Sequence, residues 1–489
     1  MSDDATHFDV IIIGAGLSGV GAAWHLQDKL PHKTYAILEG RERMGGTWDL
    51  FRYPGIRSDS DMYTLGYSFR PWTQAKAIAD GPSILAYIRD TAREAGIDRK
   101  VRYGHRVERA SWSSADARWT LEVRESATGE LRRFTCSFVF ACAGYYDYEA
   151  GHAPAFAGRE RFRGTVVHPQ HWPEGLDYEG KRVVVVGSGA TAMTLVPELA
   201  KRAAHVTMLQ RSPTYVIAMP GVDRVADWLR ARLPAGAAYE ATRWKNVLLG
   251  MAFYKFTRRF PERAKRLLVG QVRRAVGGAV DVGRHFTPRY NPWDQRLCLV
   301  PDGDLFETLR DGRASVVTDE IETFTETGLR LKSGASLDAD IVVTATGLEL
   351  KFLGGVALEV DGRAVEPSKL LAYKGMMFGD VPNLAVSIGY TNASWTLKCD
   401  LTCEYVCRLL QHMDRHGYAA ARPHNDDPSL RAEPLLDFAA NYVLRAVDRF
   451  PRQGDRAPWR VYQNYALDRA ALRHAPVDDG VMRFSKARP

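Results

Sequence analysis

Four strand-length apolar runs along the chain end in glycine. FDVIII (residues 8–13) stops at Gly14, FVFACA reaches Gly144, VVVV (183–186) stops at Gly187, and IVVTAT reaches Gly347. Two of these runs pass through a glycine turn into helical periodicity, FDVIIIGAGLSGVGAAWHLQ and KRVVVVGSGATA. Strand, glycine turn and helix in that order open a dinucleotide-binding unit, so the pattern predicts an α/β protein with two Rossmann-like domains. The other two runs read as the chain returning between them. The expected division is a first domain of 1–150 plus 345–489, a second of 151–224 plus 292–344, and a helical basic insertion at 225–291.

The turns carry specific chemistry. In the first, Gly14 permits a tight turn, Gly16 lets the backbone approach a pyrophosphate, and Gly19 allows close packing of the helix whose N-terminus faces the phosphates. The next strand, TYAIL, ends in Glu39, twenty positions after Gly19, where a carboxylate can accept ribose hydroxyls. The second turn places Gly187, Gly189 and Ala192 in the same three positions. Its partner strand, HVTML, ends in Gln210, Arg211 and Ser212 instead of an acid. Nothing there repels a 2′-phosphate, and a guanidinium can bind one, which points to NADPH over NADH.

Length and charge narrow the classes. A chain of 489 residues needs more than one core, and 45% hydrophobic with 25% charged residues is ordinary for globular proteins. No run approaches the ~18 apolar residues of a spanning helix. The polar segment Met1–His7 lacks the basic start of a signal peptide, so a cytoplasmic protein is expected. Six cysteines give no secreted disulfide framework. Cys399, Cys403 and Cys407 share one face of a helix without accompanying ligands and read as small hydrophobes; no metal is called for. Cys136 and Cys142 alternate in a strand and read as core. The net charge of +8 is concentrated at 241–275, where ten Lys/Arg meet one Glu. A basic, aromatic-bearing helical stretch is either a solvated insertion, the preferred reading, or a peripheral contact with the inner face of an anionic membrane. No nucleic-acid motif accompanies the charge.

Sharper motifs select a family. FRGTVVHPQHWP places Phe162, Gly164, His168, Trp172 and Pro173 in the F-x-G-x-x-x-H-x-x-x-W-P pattern, and Gly45, Gly46, Trp48, Tyr53, Pro54, Gly55 and Asp59 meet G-G-x-W-x(4)-Y-P-G-x(3)-D. The chain thus resembles the type I Baeyer–Villiger monooxygenases. Through GGTWDLFRYPGIRSDSDMYTLGY, YNPWDQRLCLVP and GYTNASWTLK it is similar to their ethionamide-activating subgroup.

The resemblance implies FAD in the first domain and NADPH in the second. NADPH would reduce FAD, and reduced flavin would capture O₂ at C4a and deliver one oxygen atom to a ketone, or to sulfur in a sulfide or thioamide. The protein's part would be positioning, charge stabilisation and exclusion of water. Arg296 matches the family's active-site arginine and would stabilise the anions of the reaction; Asp59 matches its carboxylate partner. Cofactor contacts implied alongside the glycines and Glu39 are Gly46, Thr47, Trp48, Asp49, Leu50, Arg57, Asp59 and Val107, with Ser188, Ala190, Thr191, Arg211 and Ser212 in the second domain. Gln295 departs from the lysine many members carry before the arginine, leaving more of the phosphate recognition to Arg211 and Ser212. His168 lies between the domains, where it either couples nucleotide binding to domain rotation or packs in a linker.

Rival readings are separable. A flavin-containing monooxygenase restricted to nitrogen and sulfur resembles F-x-G-x-x-x-H-x-x-x-Y/F, whereas Trp172–Pro173 stands here. A disulfide reductase needs a redox cysteine pair after the first turn, a region without cysteine. An NADPH-binding sensor or membrane-docked scaffold would not need the FAD fingerprint.

Overall fold

The computed structural model describes residues 6–295, 297–436 and 440–487. Strand β1 (Thr6–Ile13) is followed by helix α1 (Leu17–Lys29) and by β2 (Tyr35–Leu38), which runs parallel to β1. On its other side β1 pairs in parallel with Leu131–Ala141. Val10, Ile11 and Ile12 are fully buried, as expected of a central strand covered on both faces. Beyond Leu131–Ala141 the sheet turns antiparallel through Arg118–Glu125 and His105–Ser113. There the sequence alternates, with Trp119, Leu121 and Val123 inward and the residues between them more exposed. Segments from far along the chain also join this sheet, with Arg363–Val365 at one edge. Ala357–Val360 pairs with His105–Ser113, and Leu384–Val386 with Leu131–Ala141.

The second sheet is all parallel, in the order Ala314–Thr318, β4, β3, Ile341–Thr344, Thr165–Val167, where β3 is Arg182–Val186 and β4 is His205–Gln210. Helix α2 (Ala190–Leu199) lies between β3 and β4 in sequence and buries Ala192, Leu195, Val196 and Leu199 on one face of the sheet. The opposite face is covered by the antiparallel segments Ile321–Phe324, Gly328–Leu331 and Ser336–Asp338 through Phe324, Leu329 and Leu331. The two crossings between the sheets pair with each other: Tyr146–Gly151 runs antiparallel to Leu348–Leu350.

The basic insertion is built on two long helices, α3 (Ala235–Arg259) and α4 (Pro261–Val276), flanked by the short helices Arg224–Arg230 and Val282–His285. Phe260 is non-helical and Pro261 opens α4, which makes a sharp elbow. The expectation of a solvated insertion needs correcting for the inner faces. Leu268, Val269, Val272 and Val276 of α4 enter the core of the second domain. Arg243 of α3 is only 3% exposed and donates to the carbonyls of Tyr63 and Gly66 at 2.8 and 2.9 Å, with Asp400 3.4 Å away. The insertion therefore straddles both domains.

Helix α5 (Trp395–His416) packs on α1 and carries Cys399, Cys403 and Cys407, all buried. Burial pushes the thiols of Cys399 and Cys407 up to about 12 and that of Cys403 well above its usual value, so they behave as small apolar side chains. Among the described residues no helix is long and apolar enough to cross a membrane.

Candidate active site

The glycines of the first turn are required by contact as well as by conformation. Gly14 has φ +99°, and a Cβ at Gly19 would stand 1.9 Å from the Gly14 carbonyl oxygen. Gly16 caps α1 without a side-chain partner, which leaves the first N–H groups of the helix facing a cavity. Glu39 is buried, and its two oxygens accept from Ala15 N at 2.8 Å and Arg41 N at 2.9 Å. Burial raises its carboxyl pKa, and these N–H bonds work against that rise. Glu39 therefore braces the turn, and each oxygen keeps a second lone pair for a hydroxyl.

Gly16 and Ser18, the segment Gly45–Trp48 and Asp59 line the cavity together with Tyr145, Tyr146, Tyr148, Tyr390 and Trp395. Trp395 stacks on Tyr145 with centroids 4.9 Å apart and donates Nε1–H to Ser18 Oγ at 3.2 Å. Trp293 and Leu297 close a further edge. Arg296, between them in sequence, lies outside the described residues. Behind the wall, Tyr390 donates to Asp468 at 2.7 Å, and Lys398 Nζ sits 2.9 Å from the same oxygen outside hydrogen-bond geometry, a charge pair with Lys398 only 2% exposed.

Of the expected cofactor contacts, Gly16, Gly46, Thr47, Trp48 and Asp59 line this cavity. Four others are engaged elsewhere. Asp49, 1% exposed, is surrounded by Arg41, Arg52 and Arg89 at 2.8–3.3 Å. Leu50 ends the same short helix. Val107 belongs to the core of the first sheet. Arg57 forms a two-bond pair with Asp304 of the second domain.

The second turn repeats the architecture. Gly187 has φ +136° and lies so close to the Ala345 carbonyl that a Cβ would be 2.3 Å away; Gly189 caps α2 with no side chain and open space around it. Ala190 and Thr191 form the first turn, and Ala192 is fully buried. Ser188 is held by Thr214 at 2.9 Å and by the Ser212 carbonyl at 3.3 Å. Arg211 and Ser212 are exposed just past β4, free to meet a phosphate, whereas Gln210 turns inward to His285 O and Thr318 Oγ1. The Y-P-G part of the longer motif joins the domains: a Cβ at Gly55 would stand 2.9 Å from Glu198 of α2.

His168 sits at the paired crossings. Its Nε2 is 3.3 Å from Gly347 O, Nδ1 accepts from Gln170 N, and its ring fills the space over Gly151, where a Cβ would be 2.0 Å from Cε1. Burial lowers its pKa, which favours the neutral ring.

GYTNASWTLK carries Tyr390, Trp395 and Lys398, but nothing in it points to their partners Tyr145 and Asp468. GYYDY follows a glycine-ended strand and GYTNASW precedes α5, but only folding brings them together. The glycine cradles and two uncapped helix N-termini fit dinucleotide phosphates, and the aromatic cavity fits a flavin ring.

Comparison agrees. Residues 78–228 match the flavin-binding monooxygenase-like family and residues 12–79 an NAD(P)-binding Rossmann-like domain. The FAD-containing monooxygenase EthA of Mycobacterium tuberculosis is 54% identical over 481 residues, 98% of each chain. Among solved structures, an oxidised steroid monooxygenase bound to NADP superposes with a TM-score of 0.77 at 22% identity, covering 98% of this chain and 100% of that one. Cyclohexanone monooxygenase from Rhodococcus sp. Phi1 bound to NADP+ gives 0.75 at 20%, covering 99% and 100%. With identity of this order along nearly its whole length, and both nucleotide sites built, the chain belongs to the FAD-containing monooxygenases.

Proposed function

We propose that the protein inserts one atom of O₂ into ketones, giving esters or lactones, and oxygenates sulfur in sulfides and thioamides. The carrying observation is the single cavity in which the uncapped end of α1, the Gly45–Trp48 segment, Asp59 and the residues flanking Arg296 meet. When bound, NADPH supplies a hydride and FAD the activation of oxygen. The chain's own residues do the rest. The N-termini of α1 and α2 bind the diphosphates, and Arg211 with Ser212 selects a 2′-phosphate. Asp59, on the cavity wall, orients the guanidinium of Arg296, which stabilises negative charge on the oxygen being transferred. Trp48, Tyr145 and Trp395 keep water from that charge. The family motif with Trp172–Pro173 favours ketones, and a neighbour in fold is named for a ketone, cyclohexanone. We place the enzyme in the cytoplasm with its basic insertion turned to the membrane's inner face.

The test is product formation per NADPH consumed, with a cyclic ketone and an aryl sulfide, in wild type and Arg296→Ala. Wild type should convert both. The variant should still consume NADPH but lose ester formation, releasing hydrogen peroxide. Sulfide oxidation without any ester from wild type would leave the restricted nitrogen-and-sulfur reading in its place.

A further inference from the structure

The outward surface of the insertion carries charge and apolar area that oxygenation does not use. Of the ten cations at 241–275, Arg243 is buried, Lys245 pairs with Asp223, and Arg258 pairs with Asp294 at 2.6 Å. Lys255, Arg259, Arg263, Lys265 and Arg266 surround the elbow, and none has a carboxylate partner among the described residues; Glu262 is the one acid of residues 241–275. The same two helices and the elbow between them carry large apolar side chains in water: Leu248 is 56% exposed, Leu249 61%, Leu267 59% and Phe260 41%. The guanidinium groups of Arg259 and Arg263 each stand 5.4 Å from the Phe260 ring, so an aromatic wedge at the tip is clasped by two cations.

We propose that this elbow is the docking surface for an anionic lipid bilayer; the inference deepens the location given above and rests on it. Unpartnered cations would meet headgroup charge, while Phe260, Leu267 and the Leu248–Leu249 pair would enter the boundary between headgroups and acyl chains. A nucleic acid would satisfy the cations but leave three exposed leucines in water. The other side of the elbow is braced on the site. Tyr254 of α3 packs edge-on against Trp293 at 5.6 Å, and Arg258 holds Asp294, so the segment that closes the cavity lies directly behind the docking face. An apolar substrate dissolved in the bilayer would then have a short route to the cavity.

The experiment is co-sedimentation of the flavin-loaded enzyme with vesicles of phosphatidylcholine alone or with phosphatidylglycerol added, across a salt series. Binding is expected to the anionic vesicles, weakening as salt rises. A cation near such a surface contributes about 1 kcal/mol, roughly fivefold, so Arg259→Gln, Arg263→Gln and Arg266→Gln together should lower partitioning about a hundredfold. Phe260→Ser with Leu267→Ser should also lower it, and all variants should oxygenate a short water-soluble substrate as wild type does. Equal binding to neutral and anionic vesicles, or no binding, overturns the inference. So does vesicle binding removed by the arginine changes but untouched by the apolar ones, which would mark a purely electrostatic partner. Lost oxygenation with docking intact would count against the proposed reaction alone.

Discussion

The pair behind the cavity gives a sharp prediction. Lys398 is 2% exposed, and its ammonium group lies 2.9 Å from Asp468, which also accepts from Tyr390 on the cavity wall. Asp468→Asn keeps an acceptor for Tyr390 while removing the charge, so the ammonium is left buried without a counter-ion. Breaking such a pair on one side costs about 3–5 kcal/mol. Replacing both partners by uncharged residues of similar volume is near neutral, so Lys398→Met with Asp468→Asn should recover most of the loss. The double-mutant cycle should therefore show a coupling of roughly 2–4 kcal/mol, far above the ~0.5 kcal/mol of independent sites. Urea unfolding followed by tryptophan fluorescence reads the transition, with release of flavin recorded in parallel because Tyr390 and Trp395 share the wall. An Asp468→Asn protein less than 1 kcal/mol weaker than wild type, or a double variant no better than the single, would refute the argument that this pair is a closed ionic unit.

Three further outcomes follow from the site. Gly19→Ala forces a methyl group to 1.9 Å from a backbone oxygen that cannot move independently, so the purified protein should retain little flavin per chain; full flavin occupancy would show that the turn can open. Arg211→Ala should raise KM for NADPH by about ten- to a hundredfold, the loss of a charge-assisted hydrogen bond of about 1.5–3 kcal/mol, and leave NADH kinetics unchanged; a parallel rise for NADH would remove Arg211 from phosphate recognition. Asp400 is buried, which raises its carboxyl pKa, but His25, Arg243 and the Ser68 N–H outweigh that and hold it below the usual range. Its contribution to stability is complete above an unfolded value of about 3.9 and is lost as pH falls through the folded one. Wild type should therefore weaken below about pH 4 and Asp400→Asn less steeply, with parallel acid limbs as the contrary result.

Much of this was legible before folding because the information was local. Strand, glycine turn and helix are contiguous, so both nucleotide turns and their roles could be read from Gly14–Gly19 and Gly187–Ala192. The Asp59 position came from a resemblance carried by neighbouring motif residues, and it does line the cavity. What failed to show was non-local. Tyr145 and Trp395 stack across a separation of 250 residues, and no pattern in either segment points to the other. Charge counting treated the ten cations at 241–275 alike, although Arg243 is inside the protein. Arg57 reads as a cofactor contact, and nothing near it in sequence points to its two-bond pair with Asp304 of the second domain.

The interrupted first domain also imposes an order on biosynthesis. A ribosome delivers both nucleotide turns and all five strands of the second sheet before it delivers Ala357–Val360, Leu384–Val386 or α5. The second domain can thus close while the first still lacks three of its parts, with one face of α1 and half of the aromatic wall waiting. At about 5–20 residues per second, residues 345–489 take roughly seven to thirty seconds to make. The Tyr390–Trp395 part of the cavity wall is therefore made after both glycine turns. A chain truncated before Ala357 would be a folded nucleotide domain tethered to a first sheet with unpaired strand edges.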